Sequence, residues 1–129
     1  VGMLDTAKYY IKKGILKEPC HFQFILGAPG GMAGTIENLV YLHSQLPANA
    51  TWSASGLSKS HIPVMLTALA LGGNIRVGLE DVYYSYGVLA ESNRQLVERA
   101  VRITQAAGFE VATPAEARQI LGLKGSERK

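Results

Sequence analysis

The residues best suited to chemistry lie in one short run, residues 74–81, which contains Arg76, Gly78, Glu80 and Asp81. Successive side chains of a strand point to opposite faces, so a strand here places Arg76, Gly78 and Glu80 on one face. Burying Arg and Glu costs several kcal/mol each unless they are paired or bind a metal or an anion. A strand that places charged residues at inward positions therefore indicates a ligand-binding site.

A structural explanation of the same run remains open. Arg76 and Glu80 could form an internal ion pair, with Asp81 serving only to cap a loop. Because charged residues are rarely buried without a partner or a role, we favour the binding site over this alternative.

Two other predicted strands end in polar or glycine-rich segments, and ligands of parallel α/β proteins bind at the carboxyl ends of strands. The first segment, 27–34, contains Gly30 and Gly31 and leads into a helix. Its backbone N–H groups could approach a phosphate or carboxylate. A tight turn that requires positive φ explains the glycines equally well.

The second segment, 52–59, supplies hydroxyl groups, including that of Ser55, and the ammonium group of Lys59. These groups could hold a substrate carboxylate or a phosphate. Ser58 or Ser60 could equally be only the cap of the following helix.

The elements that must position these residues alternate along the chain. Asp5 is a plausible N-cap of a first helix, and strand-like runs alternate with amphipathic helices after it. Strands are expected at 21–26, 50–55 and 74–79, and helices at 35–46, 60–71, 92–108 and from 113 onward. Such alternation predicts parallel strands joined by helical crossovers.

Three parallel strands make a poor independent sheet, because both outer strands would expose bare edges. We therefore expect an α/β fold that is the C-terminal portion of a (β/α)8 TIM barrel, with three parallel βα units plus flanking helices. Residues 1–123 are predicted to form this part of a single barrel domain, and 124–129 a frayed tail.

Composition narrows the function class. The chain has 129 residues and a formal charge of +3, and its basic residues are dispersed rather than clustered on a stripe, which argues against nucleic-acid binding. No apolar run is long enough to span a membrane. The single cysteine, Cys20, excludes an internal disulfide and fits a reducing compartment. We expect a cytoplasmic protein.

In this order, the motifs resemble the β-keto acid cleavage enzymes, formerly a domain of unknown function and typified by 3-keto-5-aminohexanoate cleavage enzyme. The stretches that carry the resemblance are Gln23-Phe24-Ile25-Leu26-Gly27-Ala28-Pro29-Gly30-Gly31, Thr35-Ile36-Glu37-Asn38-Leu39, Gly72-Gly73-Asn74-Ile75-Arg76-Val77-Gly78-Leu79-Glu80-Asp81, Ser92-Asn93-Arg94-Gln95-Leu96-Val97 and Ala112-Thr113-Pro114-Ala115-Glu116-Ala117-Arg118.

The resemblance implies a zinc-dependent acyl transfer in which a β-keto acid and acetyl-CoA give a new CoA thioester and acetoacetate. It implies that Glu80 is a Zn²⁺ ligand, and that Arg76 and Asp81 are catalytic residues beside the metal. Gly30, Gly31 and Ser55 are the residues that we expect to bind substrate or CoA. The partners would be a small β-keto acid and acetyl-CoA, with no nucleic acid and no membrane, and the enzyme is expected to form a homo-oligomer.

The His-x-His pair that supplies the other zinc ligands in that family does not occur in this sequence. The chain thus holds one ligand of three, and we expect no turnover from these residues alone. Two readings of another class stay open: a non-catalytic α/β module that associates with a partner chain or with itself, and a small phosphate-binding domain. The keto acid cannot be named, because loops set specificity in such barrels.

Overall fold

The computed structural model describes residues 1–81, 84–85 and 87–123. The predicted tail, 124–129, lies outside the described residues. The helices are α1 (Gly2–Lys12), α2 (Ile36–Ser44), α3 (His61–Ala70, preceded by a 3-10 turn over Ser58–Ser60), α4 (Asn93–Ala106) and α5 (Pro114–Ile120), and the strands are β1 (His21–Leu26), β2 (Thr51–Gly56), β3 (Asn74–Ile75), β4 (Tyr84–Ser85) and β5 (Val88–Leu89).

Strands β1, β2 and β3 form a three-stranded sheet in that order, and both pairings are parallel. This confirms the mixed α/β class and the parallel strands expected from the alternation of elements. Gln23 lies opposite Ser53, which in turn lies opposite Asn74. The register therefore places the side chains of these three residues on the same face of the sheet.

The two faces of the sheet differ in character. One face is apolar and packs against helices, so it forms the core with the following residues: Leu4, Phe24, Leu26, Leu39, Leu42, Trp52, Ala54, Val64 and Ala68. The opposite face carries polar side chains from all three strands, including Gln23 and Ser53, with Arg76 just beyond β3. The polar face is therefore available to a ligand, whereas the apolar face is filled by the helices.

Caps explain several helix starts. The side chain of Thr35 accepts a hydrogen bond from the backbone of Asn38 before α2, and Thr113 forms a full capping box with Glu116 before α5. Ser92 caps α4 by accepting from Gln95, but the amide of Gln95 accepts from the backbone of Glu91 rather than from that of Ser92. Ser92 and Gln95 therefore form only one of the two hydrogen bonds of a capping box.

Two expectations about elements were wrong, and one pair of strands was not expected. Helix α1 begins at Gly2, so Asp5 lies in its first turn and is not the N-cap. Strand β3 ends at Ile75, because the backbone groups beyond Arg76 have other partners: the N–H of Leu79 donates to Asn93, and that of Asp81 to the carbonyl of Gly78. The short antiparallel pair β4–β5 was not anticipated.

None of the helices in the described part of the chain is long and apolar enough to cross a membrane.

Two adjacent glycines follow α3, and the structure requires each of them for a different reason. Gly72 has φ +73°, the left-handed conformation that closes a helix. Gly73 has no positive φ, but a Cβ there would overlap the ring of Trp52. The close approach of the chain to Trp52 before β3 therefore depends on the absence of a side chain at Gly73.

We predict that Gly73→Ala lowers the free energy of unfolding by about 1–3 kcal/mol, the usual cost of overpacking a core. The matched control is Gly2→Ala, because a Cβ at Gly2 meets nothing within 4 Å. Urea titration of both variants measures the effect. Equal stability of the two variants would show that Trp52 can move aside at little cost.

Candidate functional site

Arg76 is the centre of a polar cluster at the carboxyl end of the sheet. Its guanidinium donates from Nε to Asp81 Oδ2 at 2.9 Å and from Nη2 to Glu80 Oε2 at 2.8 Å. From Nη1 it donates to Gln23 Oε1 at 3.0 Å. The guanidinium is thus held by three acceptors. Because 28% of the side chain is exposed, it also reaches the surface.

Asp81 is the buried member of the cluster, with 5% of its side chain exposed. Its Oδ2 also accepts from the hydroxyl of Ser55 at 2.9 Å, and its backbone carbonyl accepts from the N–H of Ser58. A buried carboxylate is costly unless it is hydrogen-bonded and paired with a positive charge. Ser55 and Arg76 together meet both requirements.

Glu80 differs sharply from Asp81, because 82% of its side chain is exposed. The Arg76–Glu80 ion pair considered from the sequence does form, but it is not an internal pair. Glu80 therefore pays little desolvation cost and keeps its carboxylate accessible, whereas Asp81 is enclosed. The structure separates the two neighbouring carboxylates into one that faces solvent and one that orients Arg76.

The middle strand provides the space for these contacts. Neighbouring strands lie about 4.8 Å apart, so Arg76 and Gln23, which belong to opposite edges of the sheet, are roughly 10 Å apart at the backbone. Only long side chains can meet over that distance. Ser53 and Ser55 lie between them on β2, and both are short and buried.

The loop after β3 is tied to the start of α4. The Asn93 side-chain oxygen accepts from the N–H of Leu79 at 2.8 Å. The loop, Arg76 and Asn93 together line a cavity of about 270 Å³ beside the charged cluster. This cavity is large enough for a small polar molecule next to Arg76 and Glu80.

Gly30 and Gly31 are not among the hydrogen-bonded residues of the cluster. They lie in the turn after β1, where Gly30 has φ +76° and the N–H of Gly31 donates to the carbonyl of Ala28. The turn borders a groove of about 370 Å³ that Gln23 also lines. Gln23 therefore connects the glycine turn with the Arg76 cluster.

Two histidines lie near the polar face. His61, at the start of α3, is buried, and its Nδ1 has no hydrogen-bond partner among the described residues. Burial lowers the pKa of His61, the positive charge of Arg99 lowers it further, and Asp81 opposes the shift. The ring nitrogens of His21 lie 2.9 and 3.0 Å from the hydroxyl oxygens of Thr51 and Ser53, and burial lowers the pKa of His21.

Arg76, Glu80, Asp81 and Ser55 were predicted site residues, and the structure joins these four by direct contacts. Gln23 was not predicted as a member of the site, although it also contacts Arg76. The signal was present in the period of two along β1, which puts Gln23 on the polar face between apolar neighbours. His61 had no comparable signal, because its burial depends on tertiary packing.

The cluster offers a cation held in a fixed orientation, an accessible carboxylate and a buried carboxylate. Such a set can bind and polarise an anionic or carbonyl-containing molecule. In the described part of the chain, no group of three or more His, Cys, Asp or Glu side chains could hold a metal ion. The described residues alone therefore do not complete a metal site.

We predict that His61 titrates with a midpoint below its ordinary value of 6.5. The unfolded chain then binds the proton more readily than the folded chain, so this histidine makes stability fall as pH drops below 6.5. NMR titration of the ring C–H signal measures the midpoint, and His61→Asn assigns the signal. A midpoint at or above 6.5 would contradict the prediction.

Several known proteins are similar to this chain over nearly its whole length. The chain is 44% identical to 3-keto-5-aminohexanoate cleavage enzyme of Fusobacterium nucleatum subsp. nucleatum over 124 residues, and 42% identical to the enzyme of that name from Acetoanaerobium sticklandii over 123 residues. Each alignment covers 95% of this chain and 45% of the relative.

A third relative, 3-oxoadipate:acetyl-CoA acetyltransferase of Cupriavidus necator, is 37% identical, with 98% of this chain and 46% of the relative covered. The chain thus spans slightly less than half the length of these relatives. The model of the beta-keto acid cleavage enzyme family matches residues 1–123. With nearly its whole length matched, the chain belongs to the β-keto acid cleavage enzyme family.

Proposed function

We propose that the protein containing this chain transfers an acyl group between a β-keto acid and acetyl-CoA, giving a new CoA thioester and acetoacetate. The observation that carries the proposal is the fixed guanidinium of Arg76, held by Asp81, Glu80 and Gln23. The printed names of the relatives, which describe β-keto acid cleavage and acetyl-CoA-dependent transfer, support the reaction class.

In this proposal, Arg76 binds the oxygen on which negative charge develops when the keto acid forms an enolate. A guanidinium has five N–H donors, and three of those of Arg76 are engaged by protein acceptors. The two others have no acceptor among the described residues, and we propose that they bind substrate. Because the charge grows in the transition state, a donor that is already oriented stabilises that state more than the ground state.

Asp81 has two proposed roles. It orients Arg76 through the bond between Oδ2 and Nε, and Ser55 keeps the carboxylate in place. Both donors contact Oδ2, so Oδ1 is the oxygen that we propose as the acceptor of a substrate proton. Ser55 thus acts through Asp81 in addition to its expected contact with substrate.

We propose Glu80 as one ligand of a Zn²⁺ ion, with the remaining ligands supplied by residues outside the described set. An exposed carboxylate at the mouth of the sheet is suitable for this role. Bound there, the metal would act as a Lewis acid toward the oxygens of the keto acid. Arg76, adjacent to Glu80, would neutralise the same part of the substrate.

The wider architecture follows from the same proposal. We infer that the three parallel strands form part of a (β/α)8 barrel, and that the polar face of their sheet lines the barrel interior. The polar cluster would then lie at the carboxyl ends of the strands, where active sites of such barrels occur. Gly30, Gly31 and Ser55 would contact substrate or CoA. We further propose a cytoplasmic homo-oligomer.

The reaction is tested by incubating the whole protein with Zn²⁺, acetyl-CoA and a panel of β-keto acids, and by following acetoacetate and the new thioester. We expect Glu80→Gln to abolish this transfer and to weaken Zn²⁺ binding by at least roughly tenfold, since even outer partners of metal ligands are worth 10–100-fold. Equilibrium dialysis with metal analysis measures the affinity.

The chain offers a closely matched control in Glu98→Gln. Glu98 also pairs with an arginine four residues away, Arg94, at 2.7 Å, but on the surface of α4. We expect this variant to bind Zn²⁺ and turn over like the wild type. Unchanged Zn²⁺ affinity in Glu80→Gln would rule out Glu80 as a ligand.

The role of the glycine turn is tested separately. We predict that Gly30→Ala raises the KM for acetyl-CoA or for the keto acid, because the turn would present its backbone N–H groups less closely to an anion. Gly14→Ala is the control: Gly14 also has a positive φ, and a Cβ there also meets nothing within 4 Å. Unchanged KM values for both substrates would remove Gly30 from the binding site.

A further inference from the structure

We propose that Gln23 is a positioning residue that fixes the orientation of the Arg76 guanidinium for the reaction. The inference rests on the proposed function for its catalytic consequence, although the contact itself does not. Gln23 lies on β1, at the opposite edge of the sheet from β3, and its Oε1 accepts from Arg76 Nη1 at 3.0 Å.

The shape of the guanidinium gives this contact its importance. Nε and Nη2 lie along one edge of the planar group, and they donate to Asp81 and Glu80. Nη1 is at the other end of the group, where Gln23 provides the acceptor. Without Gln23, Nη1 would have no acceptor among the described residues, and the guanidinium could rotate more readily about its Nε–Cζ bond.

The two carboxylates cannot replace this third contact. Glu80 is 82% exposed, so its bond to Arg76 competes with water and restrains the guanidinium weakly. Asp81 is buried and strongly held, but it restrains only Nε. Gln23 is uncharged, so it adds orientation without reducing the positive charge that Arg76 presents to substrate.

The register of the sheet makes Gln23 suitable for this role. It lies opposite the short, buried Ser53 of the middle strand, so its amide can extend over β2 toward the third strand. A shorter side chain at position 23 would not span the distance, and an apolar one of the same length would reach without accepting a hydrogen bond.

The substitutions follow from that distinction. Gln23→Met keeps the length of the side chain and removes the acceptor, whereas Gln23→Glu keeps an acceptor. The control is Gln105→Met, which makes the same Gln-to-Met change at an exposed position of α4. All are made in the whole protein and loaded with Zn²⁺. Thermal unfolding shows that each variant is folded before it is compared.

Two readouts separate positioning from a general structural role. The first is the ¹⁵N NMR spectrum of the arginine side chains, with Arg76 assigned from Arg76→Lys. We expect separate Nη signals for Arg76 in the wild type and in Gln23→Glu and Gln105→Met, because its rotation is hindered. In Gln23→Met the two signals should merge.

The second readout is kinetic. We expect Gln23→Met to lower kcat about 10–100-fold, the usual range for residues that orient a functional group, while KM changes little. Gln23→Glu should recover only part of the lost kcat, because it keeps the acceptor but adds a negative charge beside Arg76. Gln105→Met should match the wild type.

The outcomes are distinct. Unchanged Arg76 signals in Gln23→Met overturn the inference, even if kcat falls, because Gln23 would then act directly rather than through Arg76. Merged signals with unchanged kcat also overturn it. If the signals merge but the wild-type protein transfers no acyl group, the proposed function fails and the orienting contact stands.

Discussion

A carboxylate removed from water must receive hydrogen bonds from protein groups, and Asp81 receives them from two neighbouring strands. Ser55 donates from β2, and Arg76 donates from the residue that follows β3. The backbone carbonyl of Asp81 also accepts from Ser58, which ties the loop after β3 to the turn after β2. The position of Arg76, and hence that of Glu80, follows from meeting this requirement.

The same cluster depends on the absence of large side chains at positions 53 and 55 of the middle strand. Residues of moderate size at positions 53 and 55 would fill the polar face of β2 and separate Arg76 from Gln23. Serines leave the space open, and both also form hydrogen bonds, Ser55 to Asp81 and Ser53 to His21. The polar face is thus built from long side chains on the outer strands over short ones in the centre.

Much of this arrangement could be predicted from residue patterns. Strand β1 was predicted over its observed range, and α5 was expected from residue 113 onward. Arg76, Glu80 and Asp81 were identified together because they lie in one run that includes the end of a predicted strand. The length of β3 could not be predicted, because the segment after Ile75 is held by a residue far along the chain: the side chain of Asn93 accepts from the N–H of Leu79. The contrast between exposed Glu80 and buried Asp81 likewise depends on contacts with β2 that adjacent sequence does not encode.

The fold and the chemistry share one geometric condition. Because side chains alternate along a strand, a slip of β3 by one residue against β2 would send Arg76 to the apolar face. That error would bury an unpaired guanidinium and leave Asp81 without its cation. A chain with this slip is therefore less stable than one with the native register, and the residues responsible are those that would act on substrate. The charged cluster thus favours the correct pairing of β3 with β2.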